Sequence, residues 1–356
     1  MQRTLPGGLE AKEARVFSVI GLMAIGAVAL RVAGVSPVIV FVAAGVAVAG
    51  LAWVLGVATE EAGEAAGPRL SALLNATFGN LPEMIIVVLA IREGLLDVAR
   101  ASIIGSVIGN VLLILGASLL ACGWRNGRTP FDRATAGLNA TMLVLATAVL
   151  AIPTLFAATG GASLSEQTGL THGLALIALL VYGAYLYASF QDPEDRGDIP
   201  HGNARWSVRL SIVMLALTAL ATGVLSEVLV VAIEPTIEET GVSEVFIGLI
   251  IVPLVGNVAE HMAAVKIAYG GNLNFAMGIA FNSALQVALG VTAVAVAAGW
   301  AFNNELLLNF KPLELAFLIS ATLLAGLVAS NGAANWIEGV QLIAVYLIAC
   351  LVFWYL

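Results

Sequence analysis

Two short strings recur in apolar surroundings in this chain, Gly79-Asn80-Leu81-Pro82-Glu83 and Gly256-Asn257-Val258-Ala259-Glu260. In each, an amide precedes a carboxylate by three residues, so on a helix both groups share a face and can offer oxygens to one ion. Glu83 falls about thirteen residues into an apolar stretch and Glu260 about seventeen into another, which at about 1.5 Å per residue sets both near the middle of a bilayer. An ionised carboxylate at that depth costs about 2.5 kcal/mol or more unless it has a partner, and acids placed there are functional by default. The plainer alternative is a protonated glutamate hydrogen-bonded inside a bundle. Two carboxylates converging on an axis suit a hard divalent cation, with Glu83 and Glu260 as its metal ligands. Gly79 and Gly256 permit close backbone approach, while Pro82 and Pro253 withdraw backbone donors and leave carbonyls available.

Neutral polar groups follow each string. Ser106 and Asn110, then Ser283 and Gln286, stand three or four residues apart, so each pair stays on one helical face. They serve either the ion or interhelical hydrogen bonds. His261, beside Glu260, can titrate near neutral pH but points about 100° away from it. A further acidic set comprises Glu60, Glu61 and Glu64, then Glu234, Glu238 and Glu239, at the ends of two apolar stretches. These would draw cations to two mouths or simply be solvated helix ends. Glu227 lies deeper and is a candidate for a proton pathway.

The elements that hold these residues are transmembrane helices. Of the 356 residues, 60% are hydrophobic and 11% charged, with a mean hydropathy of +0.99. That excludes an ordinary soluble domain or soluble enzyme, and no basic stripe suggests nucleic acid. A span needs about 20 apolar residues, and by that measure an all-α polytopic fold of about eleven helices is predicted, at 16–34, 36–58, 70–91, 98–121, 134–157, 170–190, 208–233, 243–268, 274–299, 312–330 and 335–355. The first is too long for a signal peptide and is read as retained. Cys122 and Cys350 fall near opposite faces, which disfavours a disulfide between them.

With a cytoplasmic N-terminus, eleven of the fifteen Lys and Arg residues fall on the inside and four, Arg31, Arg92, Arg100 and Lys311, on the outside. The bias sets N-terminus in and C-terminus out. The polar stretch with Asp192, Glu194, Asp195 and Asp198 is the natural midpoint, a solvated linker or a regulatory segment. The two strings are displaced by 260 − 83 = 177 residues, and Gly105-Ser106 falls opposite Asn282-Ser283 at the same displacement. The chain therefore divides into an N-terminal helix (1–35), a five-helix repeat (36–190), an acidic cytoplasmic linker (191–207) and a second five-helix repeat (208–356). An odd number of spans makes the second repeat enter the membrane from the opposite side, the plan of a secondary transporter.

The strings Gly79–Ile86 and Val255–His261 resemble the two repeat signatures of the calcium/proton exchanger family within the calcium/cation antiporter superfamily. Leu73–Phe78 and Phe246–Ile250 are similar to family sequence as well, and the resemblance runs over essentially the whole chain. It implies alternating-access exchange of calcium for protons, calcium leaving the cytoplasm. It also implies Glu83 and Glu260 as shared ligands, with Asn80, Asn257, Asn110, Ser283 and Gln286 in support. Asn282 and Ala284 depart from the pattern around Ser283. Sodium/calcium exchangers carry Ser/Thr-rich signatures where this chain has Gly-Asn, which favours proton over sodium coupling; a passive cation channel is the opposing class. No cofactor is expected, calcium being the transported substrate. The expected surroundings are the lipid bilayer, in the inner membrane of a prokaryote. Homo-oligomerisation stays open.

Overall fold

The computed structural model describes residues 8–191 and 204–356. The acidic residues Asp192, Glu194, Asp195 and Asp198 of the linker lie outside the described residues. Almost everything described is helix: α1 (Ala11–Val32), α2 (Pro37–Ala66), α3 (Pro68–Phe78), α4 (Leu81–Arg92), α5 (Leu96–Asn126), α6 (Arg133–Ala157), α7 (Leu164–Gln191), α8 (Val208–Thr240, interrupted at Ala232), α9 (Glu244–Gly256), α10 (Val258–Tyr269), α11 (Leu273–Phe302), α12 (Pro312–Asn331) and α13 (Trp336–Trp354). Ten of the described helices are long and apolar enough to cross a membrane, and eleven spans result if the bent pair α9–α10 counts as one.

The protein is thus an α-helical membrane protein of one N-terminal helix followed by two inverted five-helix repeats, α2 to α7 and α8 to α13. Each repeat runs through a long helix, a broken span, a buried span and two further helices. The span read as 70–91 breaks at Gly79-Asn80. That read as 243–268 breaks at Asn257 with a 61° bend. Both breaks fall at the Gly-Asn pairs because Pro82 and Pro253 remove donors on one side of the pair and the asparagines leave helical geometry, Asn80 at φ −105° and Asn257 at φ −98°.

Side-chain caps set other ends. Asp132 accepts the amides of Ala134 and Thr135 to start α6, and Ser207 accepts that of Leu210 to start α8. A two-residue antiparallel ladder, Thr129–Pro130 with Ala333–Ala334, ties the α5–α6 connection to the α12–α13 connection.

The central helix is α5, whose most apolar window is 83% buried against 17% for α1. The most extensive helix pair is α2 with α8. Their buried residues Ala44, Val48, Leu51, Leu55, Ala58 and Ala62, and Ser211, Leu215, Thr218, Thr222, Leu225 and Leu229, alternate in steps of four and three. That period is the one with which two helices can pack side by side along a continuous seam. At one end of this seam Glu61, buried on α2, accepts the Arg205 amide (2.8 Å), the Arg205 Nε (2.7 Å) and the Trp206 amide (3.1 Å), and Arg205 also pairs with Glu13. Trp206 is itself buried, edge-on to Phe17. Glu61, one of the candidate mouth acids, therefore clasps the start of the second repeat to α1 and α2.

Candidate cation site

The two helix breaks meet at the centre of the molecule, and they meet crosswise. A Cβ added to Gly256 would stand 2.7 Å from the Glu83 Cδ and 2.9 Å from its Oε1. A Cβ added to Gly79 would stand 3.4 Å from the Glu260 Oε1. Each repeat's glycine is thus the seat for the other repeat's carboxylate, and both carboxylates lie within electrostatic reach of one another. The Glu83 carboxyl takes the volume that a side chain at position 256 would occupy.

Around the pair, helix registry collects amides and hydroxyls from both repeats. Asn110 Nδ2 donates to Ser283 Oγ (2.8 Å), and the Ser283 hydroxyl donates to Asn80 Oδ1 (3.0 Å). This chain links α5, α11 and the α3–α4 break. Ser283 also lies beside Glu260, and the Asn257 amide lies beside Glu83 without a formed hydrogen bond. Gln286 Nε2 donates to the Ala76 carbonyl (2.8 Å), holding α3 against α11.

The site is rich in buried oxygens without a hydrogen-bond partner: both Glu83 oxygens, Glu260 Oε2, Asn110 Oδ1, Asn257 Oδ1 and Ser106 Oγ. One buried donor, Asn80 Nδ2, is in the same condition. Native interiors leave few such groups, so a concentration of them calls for an explanation. Carboxylate, amide and hydroxyl oxygens are the donors that a hard divalent ion takes, six to eight at a time. Among the described residues no cluster of three or more His, Cys, Asp or Glu side chains could hold a metal, so a two-carboxylate site completed by neutral oxygens is the arrangement available.

The sequence-predicted residues separate accordingly. Glu83, Glu260, Asn80, Asn257, Asn110 and Ser283 come together, and Gln286 braces the site through the α3 backbone. Ser106 is fully buried on α5, one turn before Asn110, with its hydroxyl unengaged. His261 is half-buried next to Glu260. Glu227 is not brought to the site: it is exposed and pairs with Arg92, at the end of α4, at 3.2 Å. Arg92 is the last residue of α4, so the pairing sets Glu227 level with that helix terminus.

Asn75 was not singled out by sequence and belongs here. A Cβ on Gly79 would lie 3.4 Å from Asn75 Oδ1, the same distance as from Glu260 Oε1, so the two oxygens flank one point. Asn75 is exposed and Glu260 half-exposed, whereas Glu83 and Asn257 are 1% exposed. The carboxylates are therefore closer to the surface along α3 and α10 than on the α4 and α9 side. The spacing of Asn75 to Gly79, one helical turn, was the available signal.

The chain matches the family described as "Sodium/calcium exchanger protein" over residues 36–191 and again over 210–355. It is 36% identical over 326 residues to a vacuolar calcium ion transporter of Schizosaccharomyces pombe, covering 89% of this chain and 79% of that one. It is 34% identical over 341 residues to a Ca(2+)/H(+) antiporter of Synechocystis, covering 89% and 91%. Among solved structures, native YfkE superposes with a TM-score of 0.85 at 32% identity, over 96% of this chain and all of that one.

Proposed function

The chain belongs to the sodium/calcium exchanger protein family, and on that premise we propose that it is a secondary transporter exchanging calcium for protons by alternating access. The observation that carries this reading is the crosswise seating of Glu83 on Gly256 and Glu260 beside Gly79, among buried oxygens that have no partner in the protein. A divalent cation held by both carboxylates requires both to be ionised, and protonation of either removes charge the ion needs. Calcium and protons then occupy the same oxygens in turn. Asn80, Asn257, Asn110 and Ser283 complete the shell, Gln286 fixes α3 beside it, and His261 or Ser106 is available to relay a proton.

Proton rather than sodium coupling is supported by the signature residues, Gly-Asn in both repeats, and by the relative in Synechocystis, which is a Ca(2+)/H(+) antiporter. We place the protein in the inner membrane of a prokaryote with the N-terminus cytoplasmic and the C-terminus outside, exporting calcium. The Lys and Arg bias supports that orientation. In it, the side along α3 and α10 faces the cytoplasm. No enzymatic step is involved.

The test is countertransport by the purified protein in proteoliposomes, with and without an imposed proton gradient. Calcium movement driven uphill by the proton gradient, and proton movement driven by calcium, are the expected results. Calcium flux that only runs downhill would indicate a channel, and flux that needs sodium would indicate sodium coupling.

A further inference from the structure

Among the described residues three π turns interrupt the helices, Gly109–Ile114 in α5, Gln286–Val291 in α11 and Ile247–Ile251 in α9. The first two are counterparts to the residue, since 286 − 109 and 291 − 114 both equal 177. The third has no counterpart. Residues 70–74, displaced from it by the same 177, lie inside the regular α-helix Pro68–Phe78. The backbone therefore obeys the repeat symmetry at two π turns and breaks it at one.

The break in symmetry falls where the packing also differs. A Cβ on Gly105 would stand 2.1 Å from the Leu249 carbonyl oxygen, and one on Gly248 would stand 2.6 Å from the Val98 carbonyl oxygen and 2.8 Å from the Ala101 Cβ. So α5 meets the π turn of α9 backbone to backbone. In the other half, Gly278 is the counterpart of Ala101, and a Cβ there would meet nothing within 4 Å. Ser71, the counterpart of Gly248, lies instead against Gly63 of α2, where an added Cβ would come 2.5 Å from its Oγ. The π turn lies on the more buried side of the site, beside α4, and is absent from the side along α3 and α10, where Asn75 is exposed and Glu260 half-exposed.

A π turn holds one residue more than an α-turn, so it rotates everything beyond it by about 100° relative to an uninterrupted helix. Placed in α9, it sets which face of Gly248-Leu249 meets α5 and how the chain enters the Gly256-Asn257 break. We infer that this π turn is exchanged between the repeats during transport: in the opposite-facing conformation residues 70–74 of α3 take it up against α11, and residues 247–251 of α9 return to α-helix. One π turn is gained for one lost, so the backbone hydrogen-bond count is conserved and the two states stay close in free energy, as a carrier needs. The inference rests on the exchange reading above, and it adds a backbone step to it. A static origin competes with it. Pro253 has no N–H to donate to the Leu249 carbonyl, which by itself disfavours a regular helix there, whereas its counterpart Ala76 has one.

The experiment uses the full chain with Cys122 and Cys350 replaced by Ala, carrying Ser71→Cys and Phe275→Cys. These are the counterparts of Gly248 and Val98, whose backbones touch beside the π turn of α9. Oxidation in nanodiscs should form a disulfide that stops calcium flux, and reduction should restore it. The structure of the oxidised protein is expected to show amides bonding five residues back within 70–77 and four residues back within 247–254. A disulfide-trapped protein that keeps the π turn in α9 would overturn the inference, assigning that turn to Pro253, while leaving exchange intact. Failure of the two cysteines to cross-link in a protein that still exchanges calcium for protons would overturn it too, since α3 would then never close on α11. The unsubstituted chain, assayed in proteoliposomes, tests the transport reading separately, and absence of exchange there would count against that reading and not against the exchange of the π turn.

Discussion

The Glu83 carboxyl rests on the α-carbon of Gly256, 177 − 4 residues along the chain, with no room for a side chain between them: a Cβ there would come within 2.7 Å of the Glu83 Cδ. Gly256→Ala is therefore expected to displace the carboxylate while leaving the fold in place. Overpacking of this kind costs about 1 to 3 kcal/mol, or, if it falls wholly on the bound state, about a five- to 150-fold loss of apparent calcium affinity. Calcium-dependent uptake in everted vesicles measures it, and an unchanged affinity would show that Glu83 is not held by that seat.

Glu83→Gln and Glu260→Gln each remove a ligand charge and keep the shape, and both are expected to abolish exchange. Because an uncharged amide is less costly at this depth than a carboxylate, neither should lower expression or thermal stability in detergent. Substantial calcium uptake by either variant at normal expression would refute the two-carboxylate site.

Ser283 and Ser106 are counterparts with different engagements. Ser283 joins Asn110 to Asn80, whereas the Ser106 hydroxyl has no partner in this conformation. Ser283→Ala leaves two buried amides short of a hydrogen bond, at about 1 to 3 kcal/mol for an unsatisfied group. Ser106→Ala removes a bond that is not made. The melting temperature of Ser283→Ala should fall clearly below that of Ser106→Ala, and equal values would mean that the hydroxyl bridge is not formed in solution.

How far the sequence foretold this molecule can be judged from particular residues. The repeat offset, the two glutamates and the number of spans were legible because intramembrane carboxylates and breaks such as Gly-Asn and Pro stand out against apolar stretches. Glu227 was misjudged, since nothing local to it marks the depth of Arg92, its partner 135 residues away. The Glu61 clasp on Arg205 was invisible for a similar reason: its partners are brought together only by tertiary packing. The π turns leave no mark in composition, because they are a choice of hydrogen-bond register among residues that would all form an ordinary helix.

Competition between calcium and protons sets the pH dependence. If two protons must leave before one calcium binds, apparent affinity should weaken on acidification by up to about a hundredfold per pH unit in the range where the coupled pair is protonated. Such exchange is electroneutral if Glu83 and Glu260 are the only carriers; a third carrier, with His261 the nearest candidate in the structure, would make it electrogenic. Transport measured with membrane-potential recording at several values between about pH 5 and pH 8 decides this, and a flat apparent affinity across that range would rule out a shared site.

Orientation is open to direct measurement. Single cysteines at position 195, which lies outside the described residues, and at Leu356 should react with a membrane-impermeant thiol reagent from the cytoplasmic and external sides respectively. The reverse pattern would turn both repeats over and place the side along α3 and α10 on the outside.

The crossed seating has a consequence for what counts as a working unit. One repeat contains a carboxylate whose seat is elsewhere and a seat whose carboxylate is elsewhere, so a single five-helix half has no complete site however well it folds. The smallest competent assembly is a pair of halves inserted head to tail. A gene encoding only one half would have had to place its product in the membrane in both orientations at once, and joining the two halves in one polypeptide fixes that pairing.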